Sequence, residues 1–372
     1  MKVLVAPDKF KGSLSAVAAA EAIARGFLSA WPEAEVQIAP IADGGEGFAE
    51  ALCVALDGEW IATTACDPLG RKVDARYVWV ASRKLAIIEM SEASGLWRLK
   101  PAERDPLHAS TFGTGQLMRD ATARGARTIL VGLGGSATTD GGIGMAEALG
   151  YEFLNGNGES VGPGDLRELR QIRTSNALVL PQVIAACDVQ NPLLGERGTA
   201  FVFSPQKGAD ARTVRLLEQC MENLARIVTQ ELGCDFREAE GAGAAGGIGF
   251  GLMSFCGAKI QSGFDVVADA LQLAQRIAAS DLVITGEGRL DGQTLEGKGP
   301  AGVAALARKN GKPVIALAGS VATDGGLDSL FNAACPIVDQ PVSLEEAMQR
   351  GAEFLERTAR RAAQLIQLGT VL

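Results

Sequence analysis

The chain has 372 residues, 44 acidic against 35 basic for a formal charge of −9, and 47% of it is hydrophobic. That balance excludes a nucleic-acid surface, which needs a basic stripe, so any anionic substrate must be met by a local positive site. Seven cysteines without a CxxC spacing argue against zinc or a disulfide framework and fit the reduced thiols of a cytoplasmic protein.

The opening segment MKVLVAP is too short an apolar run for a signal peptide, and no stretch is long enough to span a bilayer. Residues 2–7 predict a buried strand, 15–30 a helix with apolar residues at helical spacing, and 36–41 the next strand, a βαβ unit with a right-handed crossover. From 59 to 90 the pattern changes to three strand-like runs, 60–66, 73–80 and 85–90, with a turn at 67–70. That meander starts a mixed sheet. A helix over 113–124, a strand over 128–133 and a helix after Asp140 follow, and 155–164 reads as loop. Strands are expected near 182–186 and 199–203, then a long amphipathic helix over 210–232. After a glycine tract at 241–251, strand 281–285, helix 300–309, strands 313–318 and 335–338 and a helix over 343–368 restore the βαβ rhythm. The length favours two cores. We therefore expect two unlike α/β domains: a discontinuous Rossmann/flavodoxin-like parallel-sheet domain of residues 1–56 and 262–372, and an inserted mixed-sheet domain of residues 57–261. The active site is expected in the interdomain cleft.

Acidic residues recur in glycine turns along the chain: IADGGEG at 41–47, GGSATTDGG at 134–142, ACDVQNPLLG at 186–195 and TGEGRLDGQT at 285–294. Each follows a β-branched run, which places its loop at the carboxyl edge of a parallel sheet, where α/β proteins bind ligands. Glycine amides there suit anions and carboxylates suit a divalent metal, a pairing that points to phosphoryl transfer. Taken singly, Asp43, Asp140 and Asp324 each open an Asp-Gly-Gly turn for which local hydrogen bonding is reason enough, and Asp324 is read as structural. Clustering sets apart Asp43 with Glu46, Asp188 with Gln190 and Asn191, and Glu287 with Asp291. Lys9 and Lys11 stand beside Asp8 and ahead of a helix capped by Ser13 or Ser15. Cations are unfavourable there unless an anion binds between them and the helix. His108, the sole histidine, has no evident partner, which argues against a histidine-dependent nucleophile.

Three strings imitate nucleotide loops. GLGGSA at 132–137 fits the dinucleotide pattern, but Glu152 is poorly placed as its ribose-binding acid. GAGAAG at 241–246 follows DFREAE, no hydrophobic strand, and can equally be a turn entering a helix. GQTLEGK at 292–298 nearly makes a Walker A loop, yet Gly299 stands where a hydroxyl should ligate magnesium; Lys298 still qualifies to reach a phosphate.

The stretches APDKFKGS (6–13), IADGGEG, TFGTG (111–115), GGSATTDGG, CDVQNPLLG, PQKGA (205–209), GAGAAGG (241–247) and TGEGRLDGQT resemble, in order, the blocks of the bacterial type I glycerate kinase family. Ser110 and Thr139 depart from its pattern, where Thr and Asn are expected; neither change removes a carboxylate or a lysine. The resemblance implies ATP-dependent phosphorylation of D-glycerate to 2-phosphoglycerate. ATP and Mg²⁺ are the expected cofactors, the charge and hydropathy argue against a nucleic-acid or membrane partner, and a homodimer is one oligomeric option. On this reading the amides of Gly134, Gly135 and Ser136, with Thr138, cradle ATP phosphates, aided by Gly243, Gly246 and Lys298. Glu287 and Asp291 hold the metal, and Lys9 and Lys11 meet the glycerate carboxylate or the moving phosphoryl group. Asp8, Glu46 and Asn191 complete the substrate contacts; Asp188 is the base, with Asp43 the second candidate. Three alternatives stay open: phosphorylation of the 3-hydroxyl, an NAD(P)-dependent 2-hydroxy acid dehydrogenase using the 132–137 loop, and a non-catalytic sensor of small acids.

Overall fold

The computed structural model describes residues 1–42, 44–292, 294, 299–322 and 326–371. The chain opens with β1 (Lys2–Val5), α1 (Ala16–Ala30), β2 (Glu35–Ile38) and α2 (Phe48–Leu56). It continues through β3 (Glu59–Cys66), β4 (Lys72–Val80), β5 (Leu85–Glu89), α3 (Ser91–Ser94), α4 (Phe112–Ala123), β6 (Thr128–Gly132), α5 (Ile143–Ala148), β7 (Glu152–Leu154) and β8 (Gln171–Arg173). Next come β9 (Gln182–Ala186), α6 (Thr199–Phe203), α7 (Ala211–Leu232), α8 (Ala244–Cys256) and β10 (Lys259–Gln261). The last stretch holds α9 (Gly263–Ala270), α10 (Leu273–Ala279), β11 (Leu282–Leu290), α11 (Pro300–Lys309), β12 (Val314–Val321), β13 (Ala333–Pro336), α12 (Leu344–Gln349) and α13 (Gly351–Val371). These elements fall into two units, one of Met1–Asp43, Glu50–Leu56 and Phe264–Leu372, the other of Gly44–Ala49 and Asp57–Gly263.

The first unit is built on a five-stranded sheet in the order β13-β12-β11-β1-β2, every pair parallel. Counted within the unit this is the flavodoxin-like order 2-1-3-4-5, whose direction of winding reverses between β1 and β11. The central strands are continuous apolar runs because helices cover both faces. Val3, Val5, Leu282 and Ile284 meet Ile23, Phe27, Phe354 and Leu355 in one core. Ser15 begins α1 by accepting the amide of Ala18 at 3.2 Å. The single helix expected over 343–368 is two helices. Ser13 Oγ–H donates to the Met348 carbonyl at 2.5 Å, taking an acceptor that a continuous helix would use, and glycine follows at 351.

The second unit holds a six-stranded sheet, β10-β9-β6-β5-β4-β3. β10, β9, β6 and β5 run parallel, and β4 and β3 form the expected antiparallel meander. Tyr77, Ile88, Val131, Val183, Leu224 and Phe250 share its core. On α7 the buried residues Val214, Leu217, Met221, Leu224 and Val228 follow helical spacing, and Asp210 caps the helix by accepting the amide of Thr213 at 2.7 Å. The strand expected at 199–203 is instead α6. Thr199 and Ala200 are buried, Phe201 and Val202 are exposed, and Ser204 Oγ–H donates to the Ala200 carbonyl, a helical i to i−4 contact. β7 and β8 pair as a small separate hairpin whose link includes a 3-10 turn at Pro163–Glu168, so the segment after the expected loop is partly ordered. Among the described residues no helix is long and apolar enough to cross a membrane.

Candidate functional site

Each unit gathers polar residues at the carboxyl edge of its sheet. In the second unit β6 and β9 end side by side, Gly132 opposite Ala186. The loop from Gly44 to Gly47 crosses both strand ends at a separation only glycine allows. A Cβ on Gly44 would lie 2.8 Å from the Ala186 carbonyl oxygen, and one on Gly134 would lie 2.5 Å from Gly45 Cα. Exposed Glu46, the turn at 134–136 and half-buried Asp188 are thereby brought to one edge.

The 134–138 turn is held by one carbonyl and one amide against the 94–96 segment. Leu96 N–H donates to the Gly135 carbonyl at 2.8 Å, and Ala137 N–H donates to the Ser94 carbonyl at 2.9 Å. The amides of Gly134, Gly135 and Ser136 donate to no acceptor among the described residues, and Gly135 is exposed. Three consecutive N–H groups without an acceptor beyond a strand end are chemically suited to an anion. Ser136 and Thr138 face inward instead, 6% and 0% exposed. Lys207, from the 3-10 turn Pro205–Lys207, donates to Ser136 Oγ at 2.7 Å and to the Thr138 carbonyl at 2.6 Å. The residue is 1% exposed, and burial pushes its pKa down to about 7 against the upward pull of Asp140. The Thr138 and Thr139 hydroxyls are buried without a partner among the described residues.

Asp140 is fully buried and joins the starts of α4 and α5. It accepts the Thr111 amide at 2.8 Å, the Thr111 hydroxyl at 2.7 Å, the Gly142 amide at 3.0 Å and the Gly144 amide at 3.2 Å. Burial pushes its carboxyl up and these donors pull it back. Nearby Glu147 is pushed up to about 7, by burial first and by Asp140 second.

The glycine tract works from behind. Gly246 has φ +84°, and a Cβ there would fall 1.9 Å from the Thr138 carbonyl oxygen; Gly247 and Gly251 press on Gly141 in the same way. Gly243, also buried, donates its amide to the Asn191 carbonyl at 2.9 Å. Backbone lies on backbone here: Gly246 packs on the turn that carries the open amides, and Gly243 packs on the Asn191–Pro192 loop. Asp188 Oδ1 accepts the Gly263 amide at 3.0 Å, while the Asn191 side-chain amide donates to the Arg197 carbonyl at 2.7 Å within its own loop.

In the first unit the edge lies at the winding reversal between β1 and β11, where ligands bind in such sheets. Asp8 is buried; its amide donates to the Gly286 carbonyl at 2.8 Å, and its carboxylate accepts the Lys9 amide at 2.6 Å. Lys9 is half-buried and Lys11 exposed. Across from them Glu287 Oε1 accepts the Thr294 hydroxyl at 2.8 Å, and Asp291 Oδ2 lies 3.0 Å from Arg289 Nε. Among the described residues no group of three or more His, Cys, Asp or Glu could hold a metal. Two carboxylates at the end of one strand still fit Mg²⁺, which takes one or two protein carboxylates and fills its shell with phosphate oxygens and water. Asp43, Asp324 and Lys298 lie outside the described residues.

His108 does have a partner: its Nδ1 is 2.7 Å from Asp105 Oδ2 on the surface. The residue the sequence reading passed over is Lys207. Its only local signal is the PQKGA run, a lysine placed between a proline turn and a capped helix.

An all-parallel sheet with acids and lysines at its winding reversal, and a mixed sheet with open amides at its edge, define an α/β protein equipped for phosphate-bearing ligands. The sequence profile of the Glycerate kinase family matches residues 3–367. The chain is 45% identical to a glycerate kinase of Halalkalibacterium halodurans over 97% of each chain, and 42% identical to the glycerate 2-kinase of Escherichia coli over 99% of each. A crystal structure from Salmonella typhimurium LT2, of a protein provisionally named glycerate kinase 2, superposes with a TM-score of 0.88 at 41% identity and full coverage of both chains. The chain belongs to the glycerate kinase family and is a kinase, which sets aside the dehydrogenase reading of the 132–137 loop and the reading as a non-catalytic sensor.

Proposed function

We propose that this kinase transfers the γ-phosphoryl group of ATP to the 2-hydroxyl of D-glycerate, giving ADP and 2-phospho-D-glycerate. The observation that carries the nucleotide part is the row of three open amides at Gly134, Gly135 and Ser136. The relative from Escherichia coli named glycerate 2-kinase supports the choice of hydroxyl. Phosphoryl transfer asks mainly for positioning and charge neutralisation. The open amides take phosphate oxygens, with Thr138 and Gly246 setting the shape of their turn and Gly243 supporting the neighbouring Asn191–Pro192 loop. Lys9 and Lys11, beside Asp8, meet the glycerate carboxylate or the moving phosphoryl group; Glu46 and Asn191 complete the substrate contacts. Asp188 orients the hydroxyl and accepts its proton as the new O–P bond forms and the bond to the ADP oxygen breaks. Asp43 is the second candidate for that role, and Lys298 keeps its assignment to a phosphate on sequence alone. Glu287 and Asp291 would hold Mg²⁺, which when bound neutralises charge on the phosphates. The seven free cysteines fit the cytoplasmic location that this reading includes.

Phosphorus NMR of the protein with ATP, Mg²⁺ and D-glycerate tests the proposal. A 2-phosphoglycerate resonance is expected, and it should vanish when Mg²⁺ is chelated. A 3-phosphoglycerate resonance would overturn the hydroxyl assignment, and intact ATP beside intact glycerate would overturn the function.

A further inference from the structure

Lysine is almost never fully buried unless it is paired, because taking its charge out of water is costly. Lys207 is buried, yet no carboxylate lies within ion-pairing distance of it among the described residues. Its two acceptors are neutral: the Ser136 hydroxyl and the Thr138 carbonyl. Asp140, the acid that influences it electrostatically, is already engaged by four donors from Thr111, Gly142 and Gly144. A buried amine thus holds the turn that carries three N–H groups without an acceptor among the described residues, and an anion bound to that turn would favour its charged form.

We propose that Lys207 is a positioning residue for the nucleotide: it clamps Ser136 and Thr138 from below and so fixes the Gly134–Ser136 amides toward bound phosphate. This rests on the reading of that turn as the ATP-phosphate site. The clamp completes a three-point anchorage, the other points being the Leu96 amide on the Gly135 carbonyl and the Ala137 amide on the Ser94 carbonyl. Lys207 and Leu96 hold the turn by its oxygens and Ala137 holds it by its own amide, so the amides of Gly134, Gly135 and Ser136 are spent on none of the three contacts. A methionine would fill the same space but would supply neither the charge nor the two hydrogen bonds. Lys207 therefore acts through the turn without touching the reacting atoms.

Steady-state kinetics of full-length Lys207→Met, Ser136→Ala and the double variant, with thermal melts alongside, test this. Lys207→Met should raise KM for ATP about 10-fold or more, with KM for D-glycerate held within about twofold. Ser136→Ala should raise KM for ATP by about threefold, and the double variant should be no worse than Lys207→Met alone, because both break one clamp. A folded Lys207→Met with the wild-type KM for ATP would overturn the proposal, as would a parallel rise in both KM values with a lowered melting temperature. Should Lys207→Met not fold, Ser136→Ala decides: a selective rise in KM for ATP supports the clamp and an unchanged value overturns it. A wild-type protein that turns over no ATP would overturn the underlying nucleotide reading. An active wild type whose KM for ATP ignores both substitutions would overturn the role of Lys207 alone.

Discussion

The two sheet edges solve the placement of polar groups in opposite ways. At the mixed-sheet edge Asp140, Thr138 and Lys207 are buried and tied to one another's surroundings, and glycines 246 and 247 lock backbone against backbone. At the parallel-sheet edge Lys9, Glu287 and Asp291 are half-buried and Lys11 is exposed; the lysines follow β1, Glu287 lies in the last part of β11, and Asp291 directly follows that strand. The first arrangement preorganises amides; the second leaves charged side chains able to adjust to a ligand. The contrast also shows why one sequence motif carries two meanings. The Asp-Gly-Gly turn at Asp140 spends its carboxylate on the fold, whereas Glu287 and Asp291 present theirs near a strand end.

The largest test of this contrast is Gly246→Ala. With φ +84° and a Cβ 1.9 Å from a backbone oxygen that has nowhere to go, it should cost about 3 kcal/mol or more in urea denaturation. Exposed Lys11→Ala, the control from the other edge, should stay within about 0.5 kcal/mol. Equal stability for the two variants would break the distinction between a locked edge and an adjustable one.

A smaller effect lies in the pH dependence. Burial lifts Glu147 from 4.5 to about 7, so the folded chain holds this proton more tightly than the unfolded one. The stabilisation it contributes is complete below about pH 4.5 and is lost as the pH rises through about 7. Glu147→Gln should therefore gain on wild type by about 2 kcal/mol between pH 5 and pH 8 in chemical denaturation. Lys207, lowered from 10.5 to about 7, acts in the adjoining window, where stability rises as the pH climbs from about 7 towards 10.5. A gap between Glu147→Gln and wild type that is flat in pH would show this carboxyl to be solvated and the locked edge to be looser than described.

Much of the fold was legible because period and punctuation agree: continuous apolar runs at 2–5 and 282–285, a meander marked by its turn at 67–70, and a capped helix after Asp210. The run TAFVF at 199–203 misled because five apolar and β-branched residues carry no period, and only their packing makes them helical. The glycines at 243 and 246 read as a ligand cradle because close approach to a ligand and close approach to another backbone impose the same demand on a residue. Lys207 was illegible for a different reason: its partners lie 71 and 69 residues away in sequence, and nothing local marks a lysine as buried.

The proposed chemistry lies at the mixed-sheet edge, where Asp188 stands with the open amides. Steady-state kinetics of Asp188→Asn with ATP, Mg²⁺ and D-glycerate test it. A base at Asp188 requires a fall in kcat of about 100-fold or more with KM for ATP within about threefold of wild type. An Asp188→Asn protein that keeps the wild-type kcat would contradict it.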